Sequence, residues 1–125
     1  MALYAGRLWV AQTASVLADK VRHWAKGLPK EEFWTLGVQL VRSADSISAN
    51  IVEGFGRRHR GDTLHFYSIA LGSLEETVLW IRRANTLDLM SPILASDLIA
   101  SYLKLDKSLK RFAGSPGLLA RRSRP

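Results

Sequence analysis

Asn50 and Glu53 stand three residues apart within a run of small, polar and aliphatic residues from Leu40 to Arg58. On a helix that spacing projects both from nearly one face. A buried acid with an amide to orient it is the arrangement of a general base. The competing reading is geometric: the pair caps or bridges a neighbouring helix end or a subunit contact. No His, Ser or Cys sits at an obvious partner spacing, so no catalytic residue is assigned and the chain reads as non-enzymatic.

Metal chemistry fares no better. A di-metal bundle needs Glu-x-x-His pairs on two helices, and the sequence has none. His23, His59 and His65 share no ligand spacing with a carboxylate on the same face. Glu75, Glu76 and Asp45 are oxygen donors better suited to solvated or salt-bridged roles. Neither a metal nor a cofactor is expected.

The remaining candidate is charge. Arg57–Arg58–His59–Arg60 is the densest cluster, and with Arg82, Arg83, Arg121, Arg122 and Arg124 it accounts for eight of the twelve Arg. The guanidinium fork binds two phosphate oxygens at once, which suits these residues to RNA or DNA. Their alternative is a solvated loop paired with nearby acids. Eighteen Lys and Arg against eleven Asp and Glu give a net charge of +7 and a pI near 10.3, a balance that draws polyanions.

Elements at helical spacing must position these groups. From about Arg7 to Gly27, Val10, Ala14, Leu17, Val21, Trp24 and Leu28 step by four and three, the signature of an amphipathic helix. Residues 1–6 read as a lead-in. Gly27–Leu28–Pro29 ends the helix, since Pro cannot continue the ladder. Lys30 to about Phe55 is the second helix, with Glu31 and Glu32 at the positive end of its dipole. Its stripe is Phe33, Leu36 or Gly37, Leu40, Ala44, Ile47, Ile51 and Gly54. Gly37, Ser43, Ala44, Ser46, Ser48, Ala49 and Gly54 make it thin, which suits a central position.

After a connector, Gly56 to Gly61, Asp62 or Thr63 is the expected cap of a third helix running to about Asn85. Leu64, Tyr67, Leu71, Leu74, Val78 and Ile81 form its stripe; Phe66, Ala70, Thr77, Trp80 and Ala84 form a second apolar edge. A helix with two such edges touches its own bundle and something else. Ser91–Pro92 starts a fourth helix, carrying Leu94, Leu98, Tyr102, Leu105, Leu109 and Phe112 inward, to about Ala113. Gly114–Ser115–Pro116–Gly117 breaks it. The expected organisation is an all-α, antiparallel up-down-up-down four-helix bundle over 1–113, with a basic tail over 114–125. In that topology the 57–60 connector and Arg82–Arg83 fall at opposite ends.

Composition agrees with one globular domain: 125 residues, 47% hydrophobic and 23% charged. Cys is absent, which excludes disulfides, thiolate chemistry and zinc–cysteine sites. No run approaches the roughly 20 apolar residues a bilayer requires, and no secretory pattern opens the chain. A cytoplasmic location is therefore expected. Trp9, Trp24, Trp34 and Trp80 read as packing residues, or as marks of a subunit interface where exposed.

Leu28–Pro29–Lys30–Glu31–Glu32, Gln39–Leu40–Val41–Arg42–Ser43–Ala44 and Ser46–Ile47–Ser48–Ala49–Asn50–Ile51–Val52–Glu53–Gly54 occur in order, followed by Phe66 and Ile69–Ala70–Leu71–Gly72–Ser73–Leu74–Glu75–Glu76. Together they resemble the four-helix bundle proteins encoded in intervening sequences of 23S ribosomal RNA genes. That group is similar to the accessory protein of diversity-generating retroelements, which pairs with a reverse transcriptase. The resemblance marks Arg42, Ser46, Asn50, Glu53, Gly54, Gly72 and Glu75 as structural-motif positions. It implies a homo-oligomeric ring, commonly a pentamer, with nucleic-acid binding suspected, a protein partner as the alternative, and no catalytic residue to carry over.

Overall fold

The structure, a computed structural model, describes residues 2–113. Helix α1 spans Ala2–Lys26. Helix α2 covers residues 30–55 in three continuous pieces: an α-helical turn at Lys30–Glu32, a π-helical segment at Phe33–Gly37, and a regular α-helix at Val38–Phe55. Helix α3 is Arg60–Thr86 and α4 is Pro92–Ala113. Each helix packs on its two neighbours in the order α1, α2, α3, α4, and α4 closes back on α1. The antiparallel four-helix bundle expected from the heptad-like spacing is the observed fold. Among the described residues there is no strand.

Several boundaries differ from the sequence expectation. Helix α1 already includes Ala2–Gly6, because no Gly–Pro pair interrupts the pattern before Arg7. Helix α3 begins at Arg60, with His59 in the cap position and no side-chain cap bond. Asp62 instead sits in the first turn, where the dipole favours an acid, and Thr63 turns its hydroxyl back to the His59 carbonyl, 3.4 Å away. Within α2 the Val38 amide donates to the Phe33 carbonyl, five residues back. The wider turn brings both Leu36 and Gly37 inward, so the stripe uses the two positions rather than one.

The core face of α3 also differs. Ala70, Thr77 and Ala84 are fully buried alongside Leu64, Tyr67, Leu74 and Ile81, whereas Leu71 and Val78 are half-buried. Small residues line the seam because α3 lies closest to α2, which presents buried Ser43, Ala44 and Gly54. The hydroxyls in this seam are satisfied. Thr77 Oγ1 lies 2.9 Å from Ser43 Oγ and 2.7 Å from the Ser73 carbonyl. Ser46 and Ser73 share a hydrogen bond of 2.9 Å.

Gly54 marks the closest approach. A Cβ there would lie 2.8 Å from Cε1 and 2.9 Å from Cδ1 of Tyr67, and 3.1 Å from Cβ of Phe66. At Gly72, on the outer face of α3, a Cβ would meet nothing within 4 Å. The two glycines therefore predict opposite outcomes. Gly54→Ala costs about 1–3 kcal/mol of overpacking, more than the helix propensity it gains. Gly72→Ala stabilises by about 0.5–1 kcal/mol. Urea unfolding of both variants checks the signs; a stabilised Gly54→Ala would refute the close-approach account.

Tyr102 Oη is buried without a hydrogen-bond partner. Burial, with the Asp45 carboxylate adding to it, pushes its ionisation well above the ordinary phenol range. Below about pH 10 the phenol is protonated in both folded and unfolded chains. Above that, the unfolded chain releases its proton first, so stability falls as pH rises. Tyr102→Phe keeps the ring and removes the orphan hydroxyl. It is expected to be at least as stable at pH 7 and to decline less steeply above pH 10, measured by thermal melts across pH.

Candidate nucleic-acid interface

The Asn50–Glu53 pair does not form a buried acid site. Glu53 is exposed, and its Oε2 accepts from Arg57 Nη2 at 2.8 Å. Asn50 turns the other way: its Nδ2 donates to the Ser46 carbonyl at 2.8 Å and lies 3.1 Å from Ser46 Oγ. The amide thus joins the α2–α3 hydroxyl seam through Ser46, while the acid orders the exit of α2. Spacing alone placed them on one face; the Ser46 partner of Asn50 and the Arg57 partner of Glu53 decide which way each points.

Arg57 continues from Glu53 onto α3. Its guanidinium carbon lies 4.6 Å from the centroid of the Phe66 ring, a cation–π contact. Arg57 is thereby fixed in place by one acid and one ring. Arg58, His59 and Arg60 are exposed beside it and carry no ion pair among the described residues.

The ends of α1 and α4 supply a contribution that the sequence reading missed. A Cβ at Gly6 would strike the Phe112 ring at 2.5 Å, so the start of α1 meets the end of α4 beside the 56–59 connector. The half of the bundle formed by residues 2–17, 50–70 and 101–113 contains Arg7, Arg57, Arg58, Arg60, Lys104, Lys107, Lys110 and Arg111. The same ranges contain three acids, Glu53, Asp62 and Asp106, an excess of five, while Glu75 of the other half also acts on Lys110. The other half, residues 18–49 and 71–100, holds seven cations and eight acids. The net charge of the described chain is therefore concentrated at the connector end. Asp106 is engaged with Lys110 at 2.9 Å, a bond that raises the lysine's ionisation above its ordinary value.

Arg82 and Arg83 are exposed near the opposite end, where Trp24 Nε1 donates to the Leu89 carbonyl at 3.0 Å. They share no surface with Arg57–Arg60. Arg121, Arg122 and Arg124 lie outside the described residues. Of the remaining motif positions, Arg42, Gly72 and Glu75 are exposed, and Arg42 makes no ion pair among the described residues. His23, His59 and His65 are separately exposed, and no group of three or more metal-type ligands forms among the described residues.

Two apolar grooves occupy opposite sides of the bundle. Between α1 and α4, one is lined by Trp9, Val16 and Leu17 with Lys20 and Lys104 at its rim. Between α2 and α3, the other is lined by Leu36, Trp80 and Leu87 with Glu32 and Arg83. Trp34 and Leu79 are exposed on the same two helices as this second groove.

The opposed orientations of Asn50 and Glu53 set the expected order of two substitutions. Glu53→Gln removes only an exposed pair and shifts stability by less than about 0.5 kcal/mol. Asn50→Ala removes the amide bond to the seam and costs about 1 kcal/mol. Denaturant unfolding compares them directly; a larger loss for Glu53→Gln would contradict this geometry.

Comparison with known proteins agrees with the fold. A solved structure of a protein of unknown function from the S23 ribosomal protein family of Bacteroides thetaiotaomicron superposes with a TM-score of 0.81. It is 22% identical, over 86% of this chain and 97% of that one. A search among curated proteins finds no match. The model of the 23S rRNA-intervening sequence protein family matches residues 6–111, which takes in all four helices, the hydroxyl seam and the connector; the chain belongs to that family.

Proposed function

We propose that this protein is a non-enzymatic, cytoplasmic, homo-oligomeric bundle that contacts RNA or DNA through the connector end. One observation carries the reading: the excess of five positive charges at that end, against near balance in the other half. Arg58 and Arg60 are exposed members of the connector itself with no ion pair among the described residues, and Arg57 is the anchored one. An array of guanidinium groups at one end raises the local concentration of a polyanion and binds its phosphates by fork geometry. The family description refers to 23S ribosomal RNA, which makes structured RNA the first ligand to test. Arg82 and Arg83, at the other end, are less suited to the same contact.

The oligomer part of the reading rests on the two apolar grooves. Grooves on opposite sides suit head-to-tail contact between copies, which closes into a ring when the rotation allows. A pentamer is the ring size proposed. The same apolar surfaces support the second reading, a scaffold or accessory subunit for a nucleic-acid enzyme such as a reverse transcriptase.

Titration with structured RNA at about 50 and 200 mM salt tests the first reading, because phosphate contacts release counterions. Affinity is expected to fall steeply with salt, and the Arg58→Ala/Arg60→Ala double variant is expected to flatten the log–log slope by about 2. Arg82→Ala/Arg83→Ala should leave it nearly unchanged. Salt-insensitive or absent binding would refute the reading. Light scattering of the wild-type chain checks assembly, with a mass of one 13.9 kDa chain as the refuting result.

A further inference from the structure

The four tryptophans differ in their surroundings. Trp24 is half-buried and hydrogen-bonded. Trp34 and Trp80 belong to α2 and α3, and the Trp80 indole nitrogen donates to Glu76 at 3.0 Å. Trp9 is 39% exposed, and the charge at its ring is a cation: Lys104 Nζ lies 5.9 Å from the ring centroid.

The place of this ring follows from spacing. Gly6 and Trp9 stand three apart on α1, and Lys104, Ser108 and Arg111 step by four and three along α4, so each set shares one face of its helix. Those two faces and Phe112 line a hollow at the connector end. Gly6 lets the Phe112 ring lie against α1, which puts a second aromatic ring in the wall. Lys104 and Arg111 are exposed and make no ion pair among the described residues. Asp106, the acid nearest them in sequence, is engaged with Lys110. No carboxylate lines the hollow or the groove on the other side of Trp9.

An exposed ring flanked by cations and clear of acids is how proteins hold single strands: bases stack on the ring while the cations follow the phosphates. An unpaired base can be splayed onto such a ring, whereas a base inside a duplex is covered by its neighbours. Lys104 lies near the outer limit of a cation–π contact, so its ammonium can leave the ring for a phosphate at little cost. An acidic peptide would satisfy the two cations alone; a nucleotide uses the ring, the cations and the Ser108 hydroxyl together.

We infer that the hollow between the start of α1 and the end of α4 holds an unpaired nucleotide of a single-stranded nucleic acid, its base stacked on Trp9 and its phosphates on Lys104 and Arg111. This deepens the proposed function and rests on it: the connector arginines draw polyanions of any form, and Trp9 selects the unpaired one. The hollow lies on the connector side of Trp9, apart from Val16 and Leu17, the apolar stretch of the groove on which assembly is proposed.

The full chain, titrated against a fluorescently labelled short oligouridylate and against an RNA duplex of the same length, tests the site. Trp9→Ala should weaken oligouridylate binding by about fivefold or more, the loss of one base–aromatic stack, with its salt slope and its duplex affinity unchanged. Trp9→Phe keeps an aromatic face and should retain most of the oligouridylate affinity. Lys104→Ala/Arg111→Ala replaces two exposed side chains and should flatten the log–log salt slope by about 1.4, at roughly 0.7 per phosphate on a single strand.

Equal weakening on both forms, or none in Trp9→Ala, would overturn the site; wild-type binding that still falls steeply with salt would then leave the proposed function standing. A wild type that binds neither form refutes the proposed function and the site with it. Light scattering of Trp9→Ala adds a separate check. A mass below that of the wild type assigns the ring to contact between copies and overturns the site; an unchanged mass with selective loss on oligouridylate supports it.

Discussion

The close approach of α2 to α3 is the constraint on which the rest of the bundle depends. Two helices can approach this closely only where side chains are small; here Ser43 meets Thr77, Gly54 meets Tyr67, and Ala44 and Ala70 are buried on the same two helices. The cost is polar: hydroxyls are carried into a seam where Ser43 and Thr77 are buried and Ser46 and Ser73 half-buried. Ser43, Ser46, Ser73 and Thr77 meet that cost by bonding to one another and to helix carbonyls. A Leu in place of any of them would bring more apolar area and push the helices apart.

The functional end inherits its geometry from this seam. Gly54 lets the Tyr67 ring cross under the last turn of α2, which brings Phe66 alongside Arg57. Glu53 holds the other side of the same guanidinium. The connector 56–59 thus leaves α2 in a defined direction, with Arg58 and Arg60 left exposed. Each exposed ion pair contributes little stability by itself; its effect is to orient one arginine rather than to hold the fold.

Much of the fold was legible in the residues. Steps of three and four from Val10 to Leu109 mark four helices, and the run of Ser, Ala and Gly after Val41 marks the slender one. The inward edge of α3 was legible in part: Leu64, Tyr67, Leu74 and Ile81 are core as their spacing expects, but Ala70, Thr77 and Ala84 take precedence over Leu71 and Val78 only against a partner as thin as α2. The π segment was hidden as well, since Phe33–Gly37 has no composition that dictates a five-residue hydrogen-bond register. Asn50 and Glu53 share a face by spacing, yet a hydroxyl at Ser46 and a guanidinium at Arg57 pull them apart. The polarity of charge needed topology: Arg7 and Arg111 stand more than a hundred positions apart and meet at one end only once Gly6 is packed on Phe112.

The central claim is that one end of the bundle, and not its charge at large, is the polyanion surface. Hydrogen exchange of the full chain, with and without structured RNA, tests this most directly because each amide reports its own region. The account predicts RNA-dependent protection over the 56–59 connector and the first turn of α3, with residues 82–91 unchanged. Protection centred on residues 82–91, or spread evenly over both ends, would contradict it.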